Sequence, residues 1–114
     1  MNNKDAVTSL AALAQDSRLS VYRLLVKRGP EGFAAGELAE RLKIPGPTLS
    51  FHLRALSQAG LVTIRKEGRF IFYGANFDRM NDLIGYLTEN CCSLGSDCGT
   101  SCAPVQATNR RKSA

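Results

Sequence analysis

Four cysteines fall within twelve residues: Cys91, Cys92, Cys98 and Cys102, in the run CCSLGSDCGTSC. The rest of the 114-residue chain has none. Such crowding is not the use of cysteine as a small core hydrophobe. Gly95, Gly99 and the serines between them leave the segment free to wrap a ligand. Thiolates select soft metal centres. A four-thiolate tetrahedral zinc or cadmium site is one candidate, but zinc sites draw on Cys-x₂₋₄-Cys pairs and a vicinal pair is a poor start. A trivalent arsenic or antimony ion carries a lone pair and takes three thiolates in a pyramid. Adjacent thiols can both reach such a large soft ion. Cys91, Cys92 and Cys98 meet that need, with five residues as the return loop. Cys102 is then a spare or an alternate third ligand.

A second constellation is electrostatic. The chain has a net charge of +5, but residues 1–40 are neutral and residues 41–70 alone carry +5, from Arg41, Lys43, Arg54, Arg65, Lys66 and Arg69 against Glu67. Residues 71–102 carry −3, and Arg110, Arg111 and Lys112 return +3 in the tail. A basic block is ordinarily a solvated face. It points to nucleic acid when it also folds into a shape that reads one.

The elements that must position these groups read as mainly helical (α+β). Val7, Leu10, Ala11 and Ala14 give a weak first amphipathic helix. Asp16 reads as the N-cap of a second helix, SRLSVYRLLVKR, stopped by Gly29-Pro30. Its Leu19, Val21, Tyr22, Leu24, Leu25 and Val26 cover most of the circumference, which places it centrally. Residues 34–43 form a short third helix with Leu38 and Leu42 inward. After a tight turn at Ile44-Pro45-Gly46-Pro47, a fourth runs from about Pro47 to Gln58, with Gly60 as its C′ residue. Helices joined so tightly make a helix-turn-helix. The segment LVTIRKEGRFIFYG follows as a two-stranded hairpin broken at Lys66-Glu67-Gly68. A last helix begins near Asn76 or Phe77 and carries Met80, Leu83, Ile84 and Leu87 on one stripe. Cys91 extends that stripe if the helix persists.

At 100° per residue the fourth helix divides cleanly. Leu49, His52, Leu53 and Leu56 share a core face. Pro47, Ser50, Phe51, Arg54 and Gln58 face the other way, a mixture suited to base edges and phosphates in a major groove. The turn at Gly46-Pro47-Thr48 can approach a duplex closely. His52, the single histidine, reads as a core residue bonding a backbone carbonyl rather than as a metal ligand. Lys66 and Arg69 flank the hairpin tip, within reach of phosphates or a minor groove.

The run PTLSFHLRALSQAGLVTIRKEGRFIFYGAN resembles the winged helix-turn-helix of the ArsR/SmtB family of metalloregulatory repressors. The likeness continues upstream through DSRLSVYRLLVKRG and GELAERLKI and downstream through the last helix, over about residues 5–92. It implies a homodimer built on the first and last helices, here through Val7, Leu10, Met80, Leu83, Ile84 and Leu87. It further implies double-stranded operator DNA with an imperfect inverted repeat as partner, released when an inducer binds. Arsenic-responsive members commonly carry Cys-x-Cys in the first helix of the pair; the matching stretch here, Gly36-Glu37-Leu38-Ala39-Glu40, has no cysteine. Zinc- and nickel-responsive members use histidines and carboxylates on the last helix; Tyr86, Leu87 and their neighbours here include no histidine, so that site is absent. A vicinal pair after the last helix with a third cysteine downstream is similar to the family's C-terminal arsenite site.

The expectation is a winged helix-turn-helix of about five helices plus a two-stranded wing. It divides into a DNA-binding and dimerisation domain over 1–90, an inducer-binding segment over 91–102 and a flexible basic tail over 103–114. DNA contacts are expected from Pro47, Thr48, Ser50, Phe51, Arg54, Lys66 and Arg69. The inducer is trivalent arsenic or antimony, with no organic cofactor. Cadmium, lead, zinc, methylated arsenite and thiol oxidation are the alternative triggers. No run of apolar residues is long enough to span a membrane, and no secretory signal opens the chain, so a cytoplasmic protein is expected. An enzyme is not expected, because no acid–base pair appears and no Cys-x-x-Cys opens a helix after a strand. A metal buffer would use the cysteines but leave the winged helix without a purpose.

Overall fold

The computed structural model describes residues 1–95. Its elements are α1 (Asn3–Leu13), α2 (Asp16–Arg28), β1 (Phe33–Ala34), α3 (Ala35–Leu42), α4 (Gly46–Gln58), β2 (Val62–Glu67), β3 (Phe70–Ala75) and α5 (Phe77–Thr88). Cys98, Cys102 and the 103–114 tail lie outside the described residues. Five helices and a hairpin wing are present as expected. The sheet has a third strand that the sequence reading missed: β1 pairs antiparallel with β3, giving the order β1-β3-β2. A two-residue strand has no alternation to detect. Its place is marked instead by Gly32, at φ 72°, where a Cβ would stand 2.5 Å from the Tyr73 carbonyl oxygen.

α1 is capped by the Asn2 side chain, which accepts from the Asp5 amide at 2.7 Å. Its inward face is Ala6, Ser9 and Ala12, and the stripe of Val7, Leu10, Ala11 and Ala14 is exposed. The small residues lie against the rest of the chain, and Val7 and Leu10 remain 56% and 43% exposed. α2 starts one residue earlier in its capping than expected. Gln15 is the N-cap and accepts from the Arg18 amide at 2.8 Å, while Asp16 is the first helical residue. Gly29 ends the helix at φ 88°. Burial of α2 is one-sided: Val21, Tyr22 and Leu25 are in the core, whereas Leu19 and Val26 are exposed. The helix is therefore central on one face only.

The core joins these residues of α2 to Phe33, Leu38, Leu49, Leu53, Leu56 and Leu61. α3 contributes Leu38, fully buried, with Leu42 packed at the margin. Lys43 turns the chain in the left-handed region at φ 56°, and Ile44 and Pro45 lead directly into α4. The end of α4 is a Schellman arrangement, with Leu61 N–H donating to Leu56 O and Gly60 N–H to Ser57 O, both at 3.0 Å. Gly60 there has φ 80°, as its C′ role requires.

The hairpin register moves the break. Lys66 pairs with Ile71 and Glu67 with Phe70, so the turn is Gly68-Arg69 rather than Lys66-Glu67-Gly68. Gly68 at φ 60° supplies the positive dihedral that a two-residue hairpin turn needs, which is why the strands run on to it. Cross-strand partners share a face. Val62, Ile64 and Lys66 therefore lie with Ile71, Tyr73 and Ala75, and Thr63, Arg65 and Glu67 with Phe70, Phe72 and Gly74.

Asn76 then does three things at once. Its amide donates to Leu61 O at 2.8 Å, its Nδ2 donates to Gly60 O at 2.9 Å, and its Oδ1 caps α5 by accepting from Arg79 N. The last helix is thereby fastened to the end of α4.

Candidate nucleic-acid interface

α4 presents two faces, divided as the 100° wheel predicts. Leu49, His52, Leu53 and Leu56 are buried. Pro47, Thr48, Ser50, Phe51, Arg54 and Gln58 are exposed, Phe51 at 61%. Among the described residues, nothing covers this aromatic. Pro47 sits in the first turn, where its missing N–H costs nothing.

His52 is a core residue, 7% exposed, with its ring 6.0 Å from that of Phe51. The expected carbonyl bond does not form: Nδ1 is buried with no hydrogen-bond partner among the described residues.

The basic block resolves into two kinds of charge. Arg65 is a strut: its Nε donates to Glu67 Oε2 at 2.7 Å, Nη2 to Glu31 O at 3.1 Å and Nη1 to Pro30 O at 3.4 Å. Its guanidinium also lies 4.9 Å from the centre of the Phe72 ring. Arg41 pairs with Glu37 across one helical turn and stacks over Phe33. Among the described residues, no carboxylate comes within ion-pairing distance of Lys43, Arg54, Lys66 or Arg69. These exposed, unpaired cations flank α4 and run to the wing tip.

Ser50, Arg54, Ser57 and Gln58 of α4 face Ile64 and Tyr73 of the wing across a cleft of 330 Å³, floored by Leu53. The sequence reading found Ser50 and Arg54 but not Ser57 or the wing wall. A signal existed: Ser57 is seven residues from Ser50 and about 20° from it on the helical wheel. The wall was hidden because it depends on the strand register.

The residues expected at a dimer surface separate as well. Leu83 is 3% exposed and buried within the chain, and Met80 packs against the core. Val7, Leu10 and Leu87 are exposed and Ile84 is half-buried. α1 and α5 lie side by side, tied by Tyr86 Oη donating to Asn3 Oδ1 at 3.1 Å.

α5 stops at Thr88, whose hydroxyl donates back to Ile84 O at 2.9 Å, and Glu89 is already extended. Cys91 therefore does not continue the Met80–Leu87 stripe. Residues 89–95 form a series of turns, with Cys91 N–H donating to Thr88 O and Ser93 N–H to Asn90 O. Asn90 and Cys92 have φ of 60° and 64°. Cys91 is exposed, with its Sγ 3.6 Å from Cys92 Sγ. No group of three or more His, Cys, Asp or Glu side chains gathers among the described residues. Two of the four expected thiols, Cys98 and Cys102, are outside them.

A family model described as a helix-turn-helix domain matches residues 13–65. The chain is 36% identical over 78 residues to an uncharacterised HTH-type transcriptional regulator of Methanocaldococcus jannaschii, covering 68% of this chain and 85% of that protein. It is 32% identical over 108 residues to an arsenical resistance operon repressor of Staphylococcus xylosus, covering 94% of this chain and 97% of that one. Among solved structures it superimposes on an ArsR-like transcriptional regulator from Rhodococcus sp. RHA1 with a TM-score of 0.67 and 31% identity, covering 74% and 76% of the two chains.

Proposed function

The chain belongs to the ArsR family of helix-turn-helix DNA-binding transcriptional regulators, and on that premise we propose that it represses an arsenic-resistance operon and leaves its operator on binding trivalent arsenic or antimony. The observation that carries the DNA-binding half is the exposed α4 face of Ser50, Phe51 and Arg54, set beside the unpaired Lys66 and Arg69 of the wing. Base edges would be read by Ser50, Phe51 and Arg54, with Pro47 and Thr48 close to the backbone and Lys66 and Arg69 on phosphates. Val7, Leu10, Ile84 and Leu87 offer an apolar surface on adjacent helices. A second copy would cover it and set two reading helices against an inverted repeat.

The sensing half rests on the thiols. Cys91 and Cys92 are adjacent, with sulfurs 3.6 Å apart, within the reach of one large soft ion. Cys98 would be the third ligand and Cys102 a reserve, and the ion needs all three as thiolates. A relative matching 97% of its own length is an arsenical resistance operon repressor, in keeping with this reading. Coupling of about 1–3 kcal/mol would weaken operator binding roughly 5- to 150-fold.

The test is DNA-binding titration of the reduced protein with arsenite, antimonite, cadmium and zinc, on wild type and each Cys→Ser variant. Release by arsenite that is lost in Cys91→Ser, Cys92→Ser and Cys98→Ser is expected. Release that persists in all three variants sinks the assignment. Loss in the first two alone points to methylated arsenite, which needs two thiolates. A second reading is a thiol-oxidation switch, for which the adjacent Cys91 and Cys92 sulfurs, 3.6 Å apart, are suitably placed. Release by peroxide, reversed by a dithiol with no metal present, would establish it instead.

A further inference from the structure

We propose that a groove between α2 and the adjoining ends of α1 and α5 is a second effector site, which takes a small organic anion: an apolar body ending in a single carboxylate. The site uses none of the cysteines and none of the exposed residues of α4 or the wing. Its origin is a surplus of apolar side chains on α2. Leu19, Tyr22 and Val26 stand at i, i+3 and i+7, one stripe of the helix, yet only Tyr22 is buried and Leu19 and Val26 are left exposed. With Leu13 from the end of α1 and Met80 from near the start of α5, they line a groove of 380 Å³. That volume lies at the small end of the range for ligand pockets, roughly 300–1,000 Å³.

Charge selects the occupant. Arg23 and Lys27, one helical turn apart, complete the lining, and no carboxylate joins them there. Both are exposed, and neither has an ion-pair partner among the described residues. An apolar groove with two available cations complements a hydrocarbon or aromatic body with one anionic head, and the arginine fork can hold a carboxylate by two parallel bonds. Tyr22 keeps a hydroxyl with no hydrogen-bond partner among the described residues, a penalty that packing alone would avoid with phenylalanine. A second copy of the chain is a poorer occupant. Five of the seven lining residues belong to α2, which contributes nothing to the apolar α1–α5 surface, and a two-fold contact centred on the groove would set its cations against each other. The groove also touches the joint that holds the reading helix. The Met80 amide donates to Asn76 O at 3.1 Å, and Asn76 in turn bonds Leu61 and Gly60 at the end of α4. A body seated against Met80 bears on that joint, so occupancy would be read as a change in operator affinity.

The test uses the full chain, reduced and free of metal, with anilinonaphthalene sulfonate as a fluorescent probe and octanoate, octanol and octylamine as competitors. One probe per chain is expected, displaced by octanoate, roughly 10-fold less well by octanol and not by octylamine. The double variant Arg23→Gln, Lys27→Gln should weaken octanoate binding by roughly 10-fold or more. Val26→Asp places a carboxylate in the groove and should abolish binding, with thermal unfolding close to wild type when octanoate is absent. Octanoate should shift affinity for the operator fragment defined by footprinting by about 5-fold or more, in wild type but not in Val26→Asp. No probe binding, equal displacement by octanol and octanoate, or equal displacement from wild type and both variants overturns the site. So does a wild-type dimer that Val26→Asp splits in sedimentation, because a second copy would then cover the groove. Binding in the groove with no shift at the operator overturns the effector role. None of these results bears on release by arsenite, which is read in the Cys→Ser variants.

Discussion

Arg65 separates a structural charge from a DNA-contacting one, and its substitution tests that distinction. Sequence places it in the middle of the basic block, but its guanidinium reaches backward, to two carbonyls of the α2–β1 loop, to Glu67 and over Phe72. Removing it as Arg65→Ala frees the wing from that loop. The side chain is 46% exposed, so the Glu67 pair is screened and contributes a few tenths of a kcal/mol. The carbonyl bonds and the stacking add more, and the total expected loss is about 1–2 kcal/mol of unfolding free energy by urea denaturation. Operator affinity should fall a few-fold because the wing is less well held. The slope of log K against log salt should not change, since no phosphate contact has gone. Arg69→Ala, at the turn, should instead lower that slope by about 0.9, a difference of roughly 3.5-fold between 50 and 200 mM salt. Arg65→Lys is decisive. An ammonium preserves a phosphate contact but cannot fork between two carbonyls, so the Lys variant should behave as Ala does. A wild-type slope in Arg65→Lys with a reduced slope in Arg65→Ala would refute the strut.

Two further outcomes follow from the core and the α4–α5 junction. The Tyr22 hydroxyl is buried with no hydrogen-bond partner among the described residues, and desolvation pushes its pKa up to about 12. The folded value lies above the unfolded one near 10, so the wild type keeps its full stability below pH 10 and loses it as pH rises through 12. Tyr22→Phe should be about 1 kcal/mol more stable at neutral pH. Its advantage should widen by up to roughly 2 kcal/mol between pH 10 and 12, as read by paired denaturation curves. Asn76→Asp keeps an oxygen to cap α5 but replaces the Nδ2 donor to Gly60 O with a second acceptor. A loss of about 1–2 kcal/mol is expected in thermal unfolding, whereas a role limited to capping predicts no loss.

What was legible in the sequence was whatever a period or a punctuating residue encodes. The two faces of α4 followed from Leu49, His52, Leu53 and Leu56, because a helix fixes direction by count alone. Gly29 and Gly60 ended their helices where a left-handed residue was needed. Misreadings came where tertiary contacts decide. The intrachain face of α1, Ala6, Ser9 and Ala12, was not marked by hydrophobicity, since small residues let two helices come close while Val7 and Leu10 stay exposed. The wing turn fell at Gly68-Arg69 because pairing continued through the charged Lys66 and Glu67, which composition reads as a break. The third strand, the Arg65 strut and the Ser57 wall of the cleft all involve residues distant in sequence. No local pattern marks them. Cys91 was projected onto a helix that Thr88 closes by bonding its own carbonyls.

That early stop changes how sensor and reader would be connected. Had α5 run into the thiols, an ion could have acted by reshaping the dimer stripe directly. Instead α5 is a rod of twelve residues, about 18 Å long, with the cysteines beyond one end and Asn76 at the other. Asn76 grips Gly60 and Leu61, the residues that close α4, through two hydrogen bonds. A rod fastened at its N-terminal end and pulled at its C-terminal end tilts about the fastening. The motion delivered to α4 is then a rotation of its C-terminal turn, where Ser57 and Gln58 line the cleft. The α1 neighbour, joined through Tyr86 and Asn3, would be carried with it. Capture of an ion by the cysteines beyond α5 would therefore affect the C-terminal turn of α4 before its first turn at Pro47. A tilt of α4 would lift its exposed face of Ser50, Phe51 and Arg54 as a unit, so this route gives release from the operator without any change in which bases are read.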